Sequence, residues 1–323
     1  MLPSAEYAVV IVGRIGVSWE RMGESGSLTS IDNCLSTDLG TDMSHPRPDA
    51  APQAPPSLEL TQGWHCSHLY YRFDRGVIAS MTPEKLKAGR EEIISILNPE
   101  GPGATARLQT SVISGNKADF GLMLMDASPL KIEGINQQLL ASTLGPALIP
   151  TYSFISVTEI SEYVPTIEQY TQRLKDEGEA EGSPAFAAKL KAYSDRLPIM
   201  NRQRLTPDFP AWPASCFYPM NKKRKVGENW FLMPYAERNK MMAEHAKSGM
   251  TFAGKVSQLI TVGVGFEDWE WGVTLWARNP EFLKDIVYRM RFDEASARYA
   301  EFGPFYTSYI MSPAEMLDHC RIA

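Results

Sequence analysis

The sequence predicts an α+β fold in which one βαββαβ unit is used twice. Two observations carry this: strand and helix patterns follow one another in the same order in each half, and a proline-punctuated helical insert separates the halves. GWHCSHLYYRFD (63–74) is rich in aromatics without helical spacing and reads as a strand. Thr82-Pro83-Glu84 then caps a helix to about Leu97, with proline in its first turn. RLQTSVISG and FGLMLMDAS make two strands joined by the turn GNKAD. A helix from about Ile132 to Leu144 is stopped by Gly145-Pro146, and TYSFISVTEIS closes the unit.

The second unit repeats the order. CFYPM (216–220) is a strand, and Pro234 opens a helix to about Met250. KVSQLITVGVG and WEWGVTLWAR are strands joined at Phe266-Glu267-Asp268. Pro280 starts an amphipathic helix to about Tyr299, ended by Gly303-Pro304, and PFYTSYIMS is the closing strand. This split order characterises ferredoxin-like folds, and two such sheets bury their apolar faces by combining into a duplicated α+β barrel within one chain. Between the units lie the charge-laced insert TIEQYTQRLKDEGEAEGSPAFAAKLKAYSDRL, read as solvated surface, and the link LTPDFPAWPAS. The expected division is a disordered N-terminal extension over 1–57, a first unit with its insert over 58–200, and a second over 201–323.

The extension is set apart by composition. After the apolar stretch AEYAVVIVGRIGV, which lacks a basic leader and makes a poor signal peptide, the chain is dominated by Ser, Pro, Gly and Ala and cannot build a core. Met43 offers an alternative start, so residues 1–42 read as an extension or a misplaced start. A net charge of -6 argues against a general nucleic-acid binder, and no apolar run is long enough to span a bilayer. Cys34, Cys66, Cys216 and Cys320 are scattered with no CxxC pair, as expected of reduced thiols in the cytoplasm.

Of the five histidines, His45 lies in the extension and His319 near the tail. Alternation puts Cys66 and His68 on one face of the first strand and His65 on the other, too few ligands for a structural zinc site. His245 shares a helix face with Met241, Met242 and Gly249. The methionines make an adaptable apolar wall, and Gly249 leaves room for a bulky planar group at the backbone. That spacing fits a satisfied core histidine first, and an axial ligand to heme iron second. In FYPMNKKRKVGENWF a strand carrying Tyr218 runs into four basic residues, Lys222 to Lys225. A basic run so short reads as a solvated loop, or as a partner for a carboxylate-rich ligand lying over Tyr218.

Together with RLQTSVISGNKADFGLM, AEHAKSGMTFAGKVSQLIT, EWGVTLWA and MRFDEASARYAEFGPFY, these residues resemble the chlorite-dismutase-like family, most closely its coproheme decarboxylase branch, from about Leu58 to Ser312. The resemblance implies two ferredoxin-like halves, a homopentamer, and a porphyrin in the C-terminal half. It implies His245 as proximal iron ligand, Tyr218 as the radical-forming tyrosine beside a propionate, and Lys222 near that propionate. Arg204, Met220, Ser296 and Arg291 fall at positions that contact the remaining propionates, and Gln258 takes the distal position. The implied reaction is the peroxide-driven decarboxylation of two propionates of coproheme, iron coproporphyrin III, to give heme b, with transient contact to the iron-inserting chelatase. Chlorite dismutases carry an arginine where Gln258 stands, and a neutral amide cannot hold an oxychlorine anion by charge. The competing expectations are a peroxidase or chlorite-degrading heme enzyme, and a heme carrier in which Tyr218 merely packs.

Overall fold

The computed structural model describes residues 56–322, together with the backbone of two short strands, Tyr7–Ile11 and Val17–Arg21, that pair antiparallel. The rest of the expected extension, Met43 included, lies outside the described residues.

The first half runs β1 (His65–Phe73), α1 (Arg75–Ser80), α2 (Pro83–Ile96), β2 (Arg107–Ile113), β3 (Phe120–Asp126), α3 (Pro129–Ala141) and β4 (Leu148–Val157). The insert forms α4 (Ile167–Asp176) and α5 (Pro184–Leu205), separated where Gly178 and Gly182 take positive φ. α5 continues across the expected boundary at 200 and carries Arg204 in its last turn. The second half runs β5 (Ala214–Lys222), α6 (Tyr235–Met250), β6 (Val256–Val262), β7 (Trp271–Ala277), α7 (Pro280–Met290), α8 (Glu294–Ala297), β8 (Ala300–Phe302) and β9 (Tyr306–Ile310). A closing helix, α9 (Pro313–His319), begins at a Ser312/Glu315 capping box that the sequence reading passed over.

The antiparallel pairings give both halves the same internal order. The first reads β4-β1-β3-β2, and the second β6-β7-β5-β9. β9 pairs with β2 and β6 touches β4, so eight strands close into a ring with β8 continuing the β9 edge of β5. This is the expected duplicated α+β barrel. The ring is closed by one bridge, Val262 to Val157, so β4 and β6 meet at their ends and diverge along the rest of that seam.

Strand alternation sorts side chains to the two faces of the ring. Cys66, His68, Tyr70, Phe154, Phe217 and Trp276 point inward and pack together. Gly272 on β7 is required here, because a Cβ would stand 2.6 Å from the Phe154 ring and 3.0 Å from that of Phe217. Outside, α2, α3 and α9 press Ile93, Ile135, Leu139 and Met316 onto Leu69, Tyr71 and Phe73. α7 presses Leu283, Ile286 and Met290 onto Cys216, Tyr218 and Val273.

One expected helix is two. The run predicted from Pro280 to Tyr299 breaks after Met290, and Asp293 takes extended geometry before α8. The break turns the Asp293 carboxylate toward α6.

Candidate functional site

Between α6 and the outer face of β5, β6 and β7 lies a cavity of about 360 Å³. That volume is within the range of small-molecule sites. Its lining includes Arg204, Tyr218, Met220, Lys222, His245, Gln258, Arg291 and Ser296, so the eight residues to which the resemblance gave roles open on one space. Period-two alternation explains three of them: Tyr218, Met220 and Lys222 sit at every second position of β5, on the face opposite Phe217.

His245 lies in the C-terminal half of α6. Its Nδ1 donates to Asp293 Oδ2 at 3.1 Å, and Ser248, one turn on, donates its hydroxyl to Asp293 Oδ1 at 2.7 Å. Asp293 is buried, and a carboxylate can only accept, so Nδ1 carries the proton and Nε2 keeps its lone pair. Burial pulls the imidazole below its ordinary value, with Lys222 adding to the effect and Asp293 opposing it. The neutral form is the one that binds metals.

Two neighbours of His245 differ from expectation. Met242 lines the cavity, but Met241 turns into the cluster of Trp230, Ala295 and Tyr299. Gly249 does not clear space for a ligand. A Cβ there would meet Met290 Cε at 3.0 Å, so the glycine admits the close approach of α7.

Tyr218 is buried beneath Phe305, stacked at 4.4 Å between ring centroids, with Phe302 edge-on at 5.7 Å. Burial pushes its phenol well above the ordinary range, so it stays protonated. The Lys222 ammonium lies 4.2 Å over the Trp230 ring and donates to the Ala295 carbonyl at 3.3 Å. Burial pushes it down to about 8, against the pull of Glu270. Arg291 stacks over Phe302 at 4.4 Å, and burial lowers Arg204.

The charge pattern is selective. Lys223, Arg224 and Arg238 each have a carboxylate partner, in Glu228, Glu270 and Glu162. Lys222, Arg204 and Arg291 form no ion pair among the described residues. These three cations are free to pair with carboxylates from outside the chain.

Sequence reasoning missed Asp293, whose signal was the buried acid a ligating histidine needs for its second nitrogen. It also missed the apolar wall of Ile260, Val262, Trp271, Val273 and Val287, and the rim of Glu159, Glu162, Tyr163 and Arg238. Strand alternation would have found Ile260 and Val273. Apart from Arg238, which α6 itself supplies, the rim comes from the segment after β4, which no local pattern links to α6. His65 and His68 form no metal site: His65 bonds the Leu58 carbonyl at 2.9 Å, and His68 bonds Thr274 Oγ1 at 2.8 Å inside the barrel. Among the described residues, no helix is long and apolar enough to cross a membrane.

Fold and cavity together define a duplicated α+β barrel with a histidine-bearing pocket in its second half. The chlorite dismutase family model matches residues 87–311, and the chain belongs to that family. A heme-binding protein of Thermus thermophilus is 30% identical, with a TM-score of 0.66 over 80% of this chain and 96% of its own. A variant of the chlorite dismutase of Candidatus Nitrospira defluvii superposes with a TM-score of 0.61 at 13% identity, over 81% of this chain and 97% of its own. The same enzyme in complex with imidazole does so with a TM-score of 0.61 at 13% identity, covering 81% and 96%. At that identity the likeness to the dismutase is one of fold.

Proposed function

We propose that this chain is a heme enzyme that oxidatively decarboxylates two propionates of coproheme, with hydrogen peroxide as oxidant, and releases heme b. The observation that carries the reading is the triplet of unpaired cations, Lys222, Arg204 and Arg291, around a buried phenol in the cavity that holds His245. The residues fit an iron porphyrin with several carboxylates. His245 offers a neutral Nε2 fixed by Asp293, the walls are apolar, and the cations suit propionates.

Bound iron would supply the oxidising power taken from peroxide. The protein's part is to bind, orient and carry one hydrogen atom. Each propionate is converted with one peroxide and one proton, giving a vinyl group, carbon dioxide and two waters. Lys222 holds a carboxylate so that its side-chain methylene faces Tyr218. Once oxidised at its oxygen, Tyr218 takes a hydrogen atom from that methylene and is restored as the phenol, and as carbon dioxide departs the second electron goes to the remaining oxidising equivalent of the same peroxide. The raised phenol pKa serves this, because it keeps the hydrogen on oxygen until oxidation removes it. Arg204, Arg291 and Ser296 would hold the other carboxylates, and Gln258 would offer the cavity a neutral hydrogen-bonding group, which weighs against chlorite as substrate.

The test is to load the protein with iron coproporphyrin III, titrate hydrogen peroxide, and follow the porphyrin by mass spectrometry. Stepwise loss of two carboxyl groups ending at heme b is expected. Tight binding with bleaching and no vinyl product would overturn the reading in favour of a peroxidase or a carrier.

A further inference from the structure

Asp293 has two side-chain partners among the described residues, and they lie one turn apart on α6. Oδ2 accepts from His245 Nδ1 at 3.1 Å, and Oδ1 accepts from Ser248 Oγ at 2.7 Å. Positions i and i+3 share a helix face, so one carboxylate bridges a single turn. Both Asp293 and Ser248 are buried, at 4% and 5% exposure, so neither group has water as a ready substitute. Ser248 is not among the residues lining the cavity.

His245 Nδ1 has a second neighbour. Ser296 Oγ stands 3.5 Å away, a hydroxyl that can donate as well as accept. Two arrangements are therefore within reach of small rotations. In one, Nδ1–H donates to Asp293. In the other, the proton sits on Nε2 and Nδ1 accepts from Ser296. Only the first leaves Nε2 free to bind a metal, and the better bond decides between them. A carboxylate held at Oδ1 cannot swing Oδ2 away from the imidazole.

We propose that Ser248 is a positioning residue for His245: its hydroxyl fixes the Asp293 carboxylate across one turn of α6 and so holds His245 as the Nδ1–H tautomer, with Nε2 presented to the cavity. The inference deepens the iron-porphyrin reading and rests on it for its purpose, but its first test needs no porphyrin.

That test is nitrogen-15 NMR of histidine-labelled, ligand-free protein, wild type against Ser248→Ala and Ser248→Thr. The wild type and the threonine variant should show His245 as the Nδ1–H tautomer, while Ser248→Ala shows a mixture with the Nε2–H form. A second readout is the affinity for iron coproporphyrin III, which should fall about tenfold in Ser248→Ala and recover in Ser248→Thr. In the ferrous loaded protein, the iron–histidine stretching band should broaden and move to lower frequency in the alanine variant. A Ser248→Ala protein with native circular dichroism, wild-type tautomer and unshifted stretch would overturn the proposal. If wild-type protein shows the expected tautomer but binds no iron porphyrin, the functional reading fails and the positioning role stands.

Discussion

Lys222 offers the most direct test of the cavity's purpose, because a cation buried there for a ligand should strain the protein when the ligand is absent. Burial pushes its ammonium from 10.5 down to about 8, with Glu270 only partly offsetting the loss of water. At about 1.4 kcal/mol per pH unit, keeping the proton in the folded state costs roughly 3 kcal/mol below pH 8. Lys222→Met keeps the unbranched stem and removes the charge. It also gives up the contact with Trp230 and the bond to the Ala295 carbonyl, together worth about 1–2 kcal/mol. The ligand-free variant should therefore be more stable than wild type at pH 7 by about 1–2 kcal/mol. The sign follows from the proton count. Between pH 8 and 10.5 the unfolded chain still binds the proton and the folded one does not, so wild-type stability rises with pH. The variant lacks this gain, and its advantage should shrink as pH approaches the unfolded value. Urea unfolding of both proteins from pH 7 to 10.5 reads the difference directly. The same substitution should weaken iron coproporphyrin III binding by about 10- to 100-fold at pH 7, the worth of a charge-assisted bond. A stability difference that stays flat across that range, or porphyrin affinity left unchanged, would refute the argument that Lys222 is held for an anion.

Other expectations follow from the same geometry. Tyr218→Phe should bind iron coproporphyrin III with nearly wild-type affinity and form no vinyl product, and normal turnover would remove the radical role. Because burial holds His245 below its ordinary value, its neutral form should persist through the usual histidine range, and iron ligation, followed by absorbance, should be lost only at more acidic pH. In that window the unfolded histidine takes up a proton before the folded one, so stability should also fall as pH falls. Arg291→Leu should lower affinity for the four-propionate substrate more than for heme b, in direct competition binding. Gly272→Ala should destabilise the fold by about 1–3 kcal/mol in thermal unfolding, since its methyl has no room beside Phe154 and Phe217.

Much of this was legible in the chain. The two βαββαβ units could be read because the strands are short aromatic or apolar runs bounded by turn signals and each main helix begins at a proline or a hydroxyl cap, signals that act within a few residues. Tyr218 and Lys222 stood out because an aromatic strand running into a basic stretch is locally unusual. His245 stood out because histidines are few. What failed was information carried across space. Gly249 looked like room for a ligand and is room for Met290, which only the approach of α7 decides. Asp293 sits where a continuous helix was expected, and the break there is favoured because it carries the carboxylate to His245 and Ser248, 48 and 45 residues away. The rim from Glu159 to Tyr163 meets Arg238 and Tyr235 through a long chain separation that no pattern announces.

The duplication itself explains why one half holds the cavity and the other does not. In both halves the first strand turns alternate side chains toward its helices. β1 presents Leu69, Tyr71 and Phe73, and these meet an unbroken apolar layer from α2 and α3, sealed at the end by Met316 and Leu317 of α9. β5 presents Tyr218, Met220 and Lys222, and among the described residues no helix equivalent to α9 covers them. A charged lysine at the end of that face cannot be packed under leucines without losing solvation, so α6 contacts α7 and α8 while the sheet face stays open between them. The polar residues of β5 thus act twice: they prevent the second half from closing as the first does, and they supply the groups that the resulting space presents to its ligand. Replacing them toward the first half's pattern, with Tyr218→Leu and Lys222→Phe together, should raise thermal stability and abolish porphyrin binding in the same protein. A double variant that gained no stability would mean that α6 is held off the sheet by something other than the polarity of β5.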